Sequence, residues 1–181
     1  MIFICVAIAV SGDTGRQLLQ YDRVAISDGE YCRLLSGHFT HLGYSHLLLN
    51  LAGLVLVWLL VGSYYDNRSW LLVIAVSVAT VSACFWWLER DLIWYVGLSG
   101  VLHGLLMAGA VRGLKSRPGE SALLLVIVIA KLGYEQLAGP LPGSESASGG
   151  AVIVAAHLYG AIGGLLAALP GWLGVAAARS I

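Results

Sequence analysis

Gly97-Leu98-Ser99-Gly100 sets a serine between glycines at the start of an apolar stretch. If that stretch is a helix, its first N–H groups are unpaired and its dipole favours negative charge, which suits a serine nucleophile and a developing oxyanion. Small residues that merely loosen a helix end would read the same way, so the motif is weak alone. Ala156-His157-Leu158-Tyr159-Gly160, continued by Gly164, places an imidazole on one helical face with two glycines, at i, i+3 and i+7. Gly100, Gly104 and Ala108 form a matching small-residue stripe. Two such stripes packed together would bring His157 to Ser99 as a general base. His46 and Asn50 are i, i+4 and share a face; they could hydrogen-bond an oxyanion together with the Ser99 N–H, although a helix-packing contact is the plainer alternative. No acid lies in the outer half of the His157 segment, so the expectation is a Ser–His dyad and not a triad.

Long apolar helices must carry these groups. The 181 residues are 59% hydrophobic and 11% charged, a composition that needs lipid. Ten basic and ten acidic residues cancel, so no charge field points to nucleic acid. Cys5, Cys32 and Cys84 are odd in number and make no disulfide framework. Spanning segments of about 20 apolar residues are expected over His46 to Gly62, Ser69 to Leu88, Leu98 to Arg112, Ser121 to Ala138 and Ala151 to Leu169. Met1 to Val10 covers only about 15 Å and reads as a shortened first helix, as a start further upstream would leave it. The expectation is thus an all-α integral membrane fold, one domain over 1–181, with six transmembrane helices. Its first loop, Gly12 to Tyr44, mixes charge with apolar residues and should lie partly in the interface.

Arg112, Lys115 and Arg117 form the densest basic run, which the positive-inside rule places in the cytoplasm. Arg68 and Arg179 then also fall inside and Arg16, Arg23, Arg33 and Arg90 outside, a bias of five against four. In this orientation His46, Asn50, Ser99 and His157 all occupy outer halves of their helices. Asn50 and His157 sit roughly 6 to 9 Å below the outer end, where polar groups are costly unless paired or functional.

The residues resemble the rhomboid intramembrane protease family. Arg33 stands thirteen residues before the histidine of His46-x-x-x-Asn50, followed by Gly97-x-Ser99-Gly100 and Ala156-His157-x-x-Gly160-x-x-x-Gly164, in the family's order over nearly the whole chain. The resemblance implies a six-helix bundle with Ser99 as nucleophile, His157 as base, and His46 and Asn50 as oxyanion donors. Arg33 and His41 match first-loop positions that the family uses structurally. Two features depart from many rhomboids: His103 replaces the tyrosine that stacks on the catalytic histidine, and a G-G-x-x-E after His46-x-x-x-Asn50 is missing. Together with Lys131-x-x-x-Glu135-Gln136 and the compact size, these features resemble the rhombosortase branch. That branch implies removal of C-terminal Gly-Gly sorting tails from secreted proteins at a bacterial inner membrane, with the active site opening to the periplasm.

The implied partners are a membrane-anchored protein substrate with a C-terminal transmembrane tail and the lipid itself, with no nucleic acid; the oligomeric state is left open. No cofactor is expected. His38, His41 and His46 are spaced by three and five residues and match no metal-binding motif, so no metal is expected either. Lys131 and Glu135 read as an ion pair facing the bundle, or as a pair that binds a substrate terminus or headgroup. A transpeptidase passing the acyl group to an amine, and a non-catalytic membrane chaperone, are the competing functions. The chaperone reading is weakened because both Ser99 and His157 are present.

Overall fold

The computed structural model describes residues 1–174, with side chains through Leu169; Arg179, counted above as cytoplasmic, lies outside the described residues. Helix α1 (Ile2–Val10) turns through Ser11 and Gly12 into α2 (Gly12–Leu19), and the two axes differ by 119°. Gly12 has φ 67, which glycine adopts without steric cost. Then come β1 (Tyr21–Asp22), α3 (Arg23–Ser27), α4 (Arg33–Ser36) and a single 3-10 turn over Gly37–Phe39. Long helices follow: α5 (Tyr44–Val61), α6 (Asn67–Trp87), α7 (Ser99–Gly113), α8 (Pro118–Ala138) and α10 (Val154–Gly174), with the short α9 (Ser144–Ser148) between the last two. Their starts follow local chemistry. The Asp66 side chain accepts the Ser69 N–H at 2.7 Å and caps α6, while α8 begins on proline, whose missing N–H costs nothing in a first turn.

Among the described residues, three helices can cross a bilayer by length and composition, namely Tyr44–Tyr64, Asn67–Trp87 and Pro118–Ala138, or four if the bent α1–α2 pair is taken as one. The expected six spans are met to that extent only. The shortfall has a physical reason at α7, whose 15 residues rise about 22 Å. Val101, Leu105 and Ala108 on one face of α7 and Ala110 on the opposite one are all fully buried, because α5, α6, α8 and α10 surround it. A helix sheathed in protein need not match the hydrocarbon thickness. The surrounding helices expose leucines such as Leu59, Leu71, Leu123 and Leu166, as lipid-facing surfaces do.

Close contact between α7 and α10 is the centre of the packing. A Cβ built on Gly160 would collide with the Gly100 carbonyl, and one on Gly164 with the Gly104 carbonyl. On the facing helix, a Cβ on Gly104 would stand 2.7 Å from the Gly160 oxygen and one on Gly100 2.8 Å from that of Ala156. The small-residue stripes expected from sequence therefore do face each other, and the backbones touch where side chains are absent.

The first loop is more structured than its composition suggests. Strand β1 pairs antiparallel with β2 (Trp94–Tyr95), Tyr21 opposite Tyr95, a two-residue ladder too short to leave an alternating signature in the sequence. Arg23 donates from its guanidinium to the Phe85 and Trp86 carbonyls, orphans in the last turn of α6, and to the Glu89 and Leu92 carbonyls of the turn that follows. The buried Arg33 binds the Glu30 carboxylate at 2.6 Å and the Gln17 and Gln20 carbonyls, in line with the structural place that the resemblance implies. His38 donates from Nε2 to Ser82 Oγ at 2.9 Å, while Ser82 donates to the Leu34 carbonyl. Burial lowers the His38 pKa to about 4, so this imidazole is neutral at physiological pH. Together these bonds tie the loop to α6 and to the segment leading into α7.

Candidate active site

Helices α5, α7 and α10 each start at one cavity of about 240 Å³, lined among others by His46, Asn50, Ser99, Lys131, Glu135 and His157. Ser144 and Ser148 of α9 line another wall, held by a 3.3 Å hydrogen bond from Ser45 Oγ to the Ser148 carbonyl. The four residues singled out in the sequence thus share one cavity. Ser99 Oγ lies 3.0 Å from His157 Nε2. Ser99 is the first residue of α7, so its own N–H and that of Gly100 have no partner within the helix. Gly97 precedes it with φ 139, a region that L side chains avoid, and a Cβ there would press on the His46 ring at 3.1 Å.

Hydrogen bonds assign the tautomer of His46. Its Nδ1 accepts the Leu42 N–H at 3.3 Å, which leaves the proton on Nε2, the nitrogen beside Gly97. That N–H is available to a carbonyl oxygen placed near Ser99. Asn50 commits one amide hydrogen to the His46 carbonyl at 3.0 Å and keeps the second. His41 packs edge-on against His46, with centroids 5.1 Å apart, so it shapes the ring's position from behind. Tyr95 donates its hydroxyl to the Gly97 carbonyl at 2.7 Å; burial raises its pKa, so the phenol stays protonated.

The expectation of an imidazole without an acid is overturned. Glu135, on α8 and 3% exposed, places Oε2 2.9 Å from His157 Nδ1, while its Oε1 receives the Lys131 ammonium at 2.7 Å. The expected ion pair exists, but it is half of a larger arrangement. A search confined to the histidine's own helix could not find the acid, which reaches in from a neighbour. The available signal was the cost of two charges in an apolar segment, since such groups face a partner inside the bundle.

His103 stacks on His157, with centroids 4.2 Å apart and ring planes 19° off parallel. Its Nδ1 must donate to the Ser99 carbonyl 2.7 Å away, because a carbonyl only accepts; this anchors the ring one turn below Ser99. The His103 imidazole therefore covers one face of the His157 ring. The donor atoms of His103, Glu135 and His157 lie within 4.8 Å of one another, a spacing at which three groups can share a cation. The Lys131 ammonium already supplies positive charge at that point.

Comparison with known families matches a Rhomboid domain over residues 28–173. The chain belongs to the rhomboid family. It is a multi-pass membrane protein of a family that consists generally of intramembrane serine proteases and also has non-catalytic members. No curated protein matches the chain. The match begins inside the first loop and runs through α5 to α7 and into α10, and so includes every residue of the cavity.

Proposed function

We propose that this rhomboid protein is an intramembrane serine endopeptidase in which Ser99 attacks the scissile carbonyl and His157 is the general base. The 3.0 Å contact between Ser99 Oγ and His157 Nε2 at the start of α7 carries this reading. As Oγ bonds to the carbonyl carbon, its proton passes to Nε2. The oxyanion takes hydrogen bonds from the Ser99 and Gly100 N–H groups, from His46 Nε2–H and from the free Asn50 amide hydrogen. His157 then returns the proton to the leaving amine as the C–N bond breaks. Water, deprotonated by the same nitrogen, attacks the acyl-enzyme and releases the new carboxylate. A fluorophosphonate probe tests the assignment: Ser99 should be labelled in the wild type and not in His157→Ala. An unlabelled wild-type protein would favour the chaperone reading.

The substrate is a secreted protein with a C-terminal Gly-Gly-type segment, a transmembrane helix and a basic end, processed at the periplasmic side of a bacterial inner membrane. Support comes from the rhombosortase-like features of the sequence and from the size of the cavity. About 240 Å³ falls below the usual range for small-molecule pockets. It suits an extended backbone without side chains. Glycines just outside a spanning helix supply one, because they resist helix formation and leave carbonyls unpaired. The basic tail follows the same positive-inside preference as Arg112, Lys115 and Arg117. Replacing the two glycines by valines should block processing in cells, whereas swapping leucine and isoleucine in the middle of the tail should not. Equal processing of both tails, read by immunoblot of the secreted product, would return the enzyme to a rhomboid protease of other specificity.

A further inference from the structure

We infer that Glu135 is a positioning residue for His157, so that the dyad works as a Ser99–His157–Glu135 relay whose acid comes from the neighbouring helix α8. The inference rests on the hydrolytic reading proposed above and concerns the state of its base. His157 can act on Ser99 only if Nε2 is unprotonated, which requires the proton to sit on Nδ1. Two groups approach Nδ1: the Glu135 carboxylate oxygen at 2.9 Å and the Lys131 ammonium at 3.5 Å. They make opposite demands, since the carboxylate needs an N–H and the ammonium needs a lone pair. The carboxylate is closer, and the ammonium has a better acceptor in Glu135 Oε1 at 2.7 Å. The proton therefore belongs on Nδ1, and Nε2 faces Ser99 as an acceptor. His103 covers the ring face and blocks rotation about Cβ–Cγ.

Glu135 also answers the charge that develops on the imidazole as it takes the Ser99 proton. At 3% exposure its carboxylate is poorly screened, so the full charge faces the ring. Lys131 does not cancel this effect but sets it: by holding Oε1 it fixes the carboxylate rotamer with Oε2 aimed at Nδ1. The arrangement follows the logic of an acid–base–nucleophile triad, assembled from three helices with the acid one helix away from the base.

The test uses the full chain purified in detergent and a fluorophosphonate probe. In Glu135→Gln the maximal labelling rate of Ser99 should fall by at least about 100-fold, with the probe concentration for half-maximal rate changed by less than about threefold. A merely structural acid would not separate the two. Independently of any variant, nitrogen-15 NMR of the histidine-labelled wild type should show the His157 proton on Nδ1, strongly deshielded by its carboxylate partner. A proton on Nε2 overturns the inference even if Glu135→Gln fails to fold. A wild type that labels at the same rate as Glu135→Gln overturns it while leaving the protease reading intact. A wild type that does not label at all overturns both.

Discussion

Ser99→Ala should abolish cleavage of a Gly-Gly-tailed fusion, by about 10⁴-fold or more, while leaving the fold in place. The two halves of this expectation have separate grounds. Activity is lost because Oγ, 3.0 Å from His157 Nε2, is the atom that would form the acyl ester after giving its proton to that nitrogen. Stability is spared because Ser99 is the first helical residue and not the cap. The bonds lost are those of Oγ to His157 and to the Tyr95 hydroxyl, each worth about 1 kcal/mol, and the Tyr95 hydroxyl keeps the Gly97 carbonyl as its partner. His157 keeps Glu135 on its other nitrogen and so stays oriented. Anti-tag immunoblotting of the fusion checks the first half, and a thermal melt in detergent the second. Residual cleavage above about one per cent of wild type would mean that another nucleophile is used.

Gly164→Val should instead damage the structure, lowering stability by about 3 kcal/mol and removing activity with it. The reason lies in what the new side chain would meet, which is the backbone carbonyl of Gly104 and not a movable side chain. Neither helix can yield locally, so α10 would have to move away from α7. His157 sits two turns before Gly164 on the same helix and would be drawn from Ser99. In lipid, close backbone approach is a main source of association energy, so nothing replaces the lost contact. Gly133→Val is the matched control: a Cβ there has nothing within 4 Å, and the residue is exposed on α8. Melting temperatures of the two variants should differ sharply, and equal values would refute the packing argument.

These outcomes bear on how much of the molecule can be read without coordinates. Length and hydropathy placed the five long helices to within a few residues, because a span needs a continuous apolar run and each run here ends at a charge, a glycine or a proline. The short spans escaped that logic. Whether 15 residues suffice depends on what surrounds a helix, and α7 is surrounded by protein. The β1–β2 ladder was invisible because two residues carry no period, and it exists only because Tyr21 and Tyr95 are brought together by elements far apart in the chain.

The site divides along the same line. Ser99, His157, His46 and Asn50 were legible from sequence because each sits in a local pattern: glycines that free a helix start, an i, i+3, i+7 face, an i, i+4 pair. Helix geometry converts such spacing into direction within one element. Glu135 had no such pattern with respect to His157. Its sequence neighbour at i−4 is Lys131, and local reasoning paired the two and stopped there. A carboxylate has two oxygens, and which group the second one meets depends on how α8 packs against α10. The sequence alone thus determined that the chain builds apolar helices whose patterns single out Ser99, His157, His46 and Asn50, which line one cavity. Only the tertiary structure decided that an acid from a third helix stands behind the imidazole, because contacts between helices are set by packing and leave no fixed spacing along the chain.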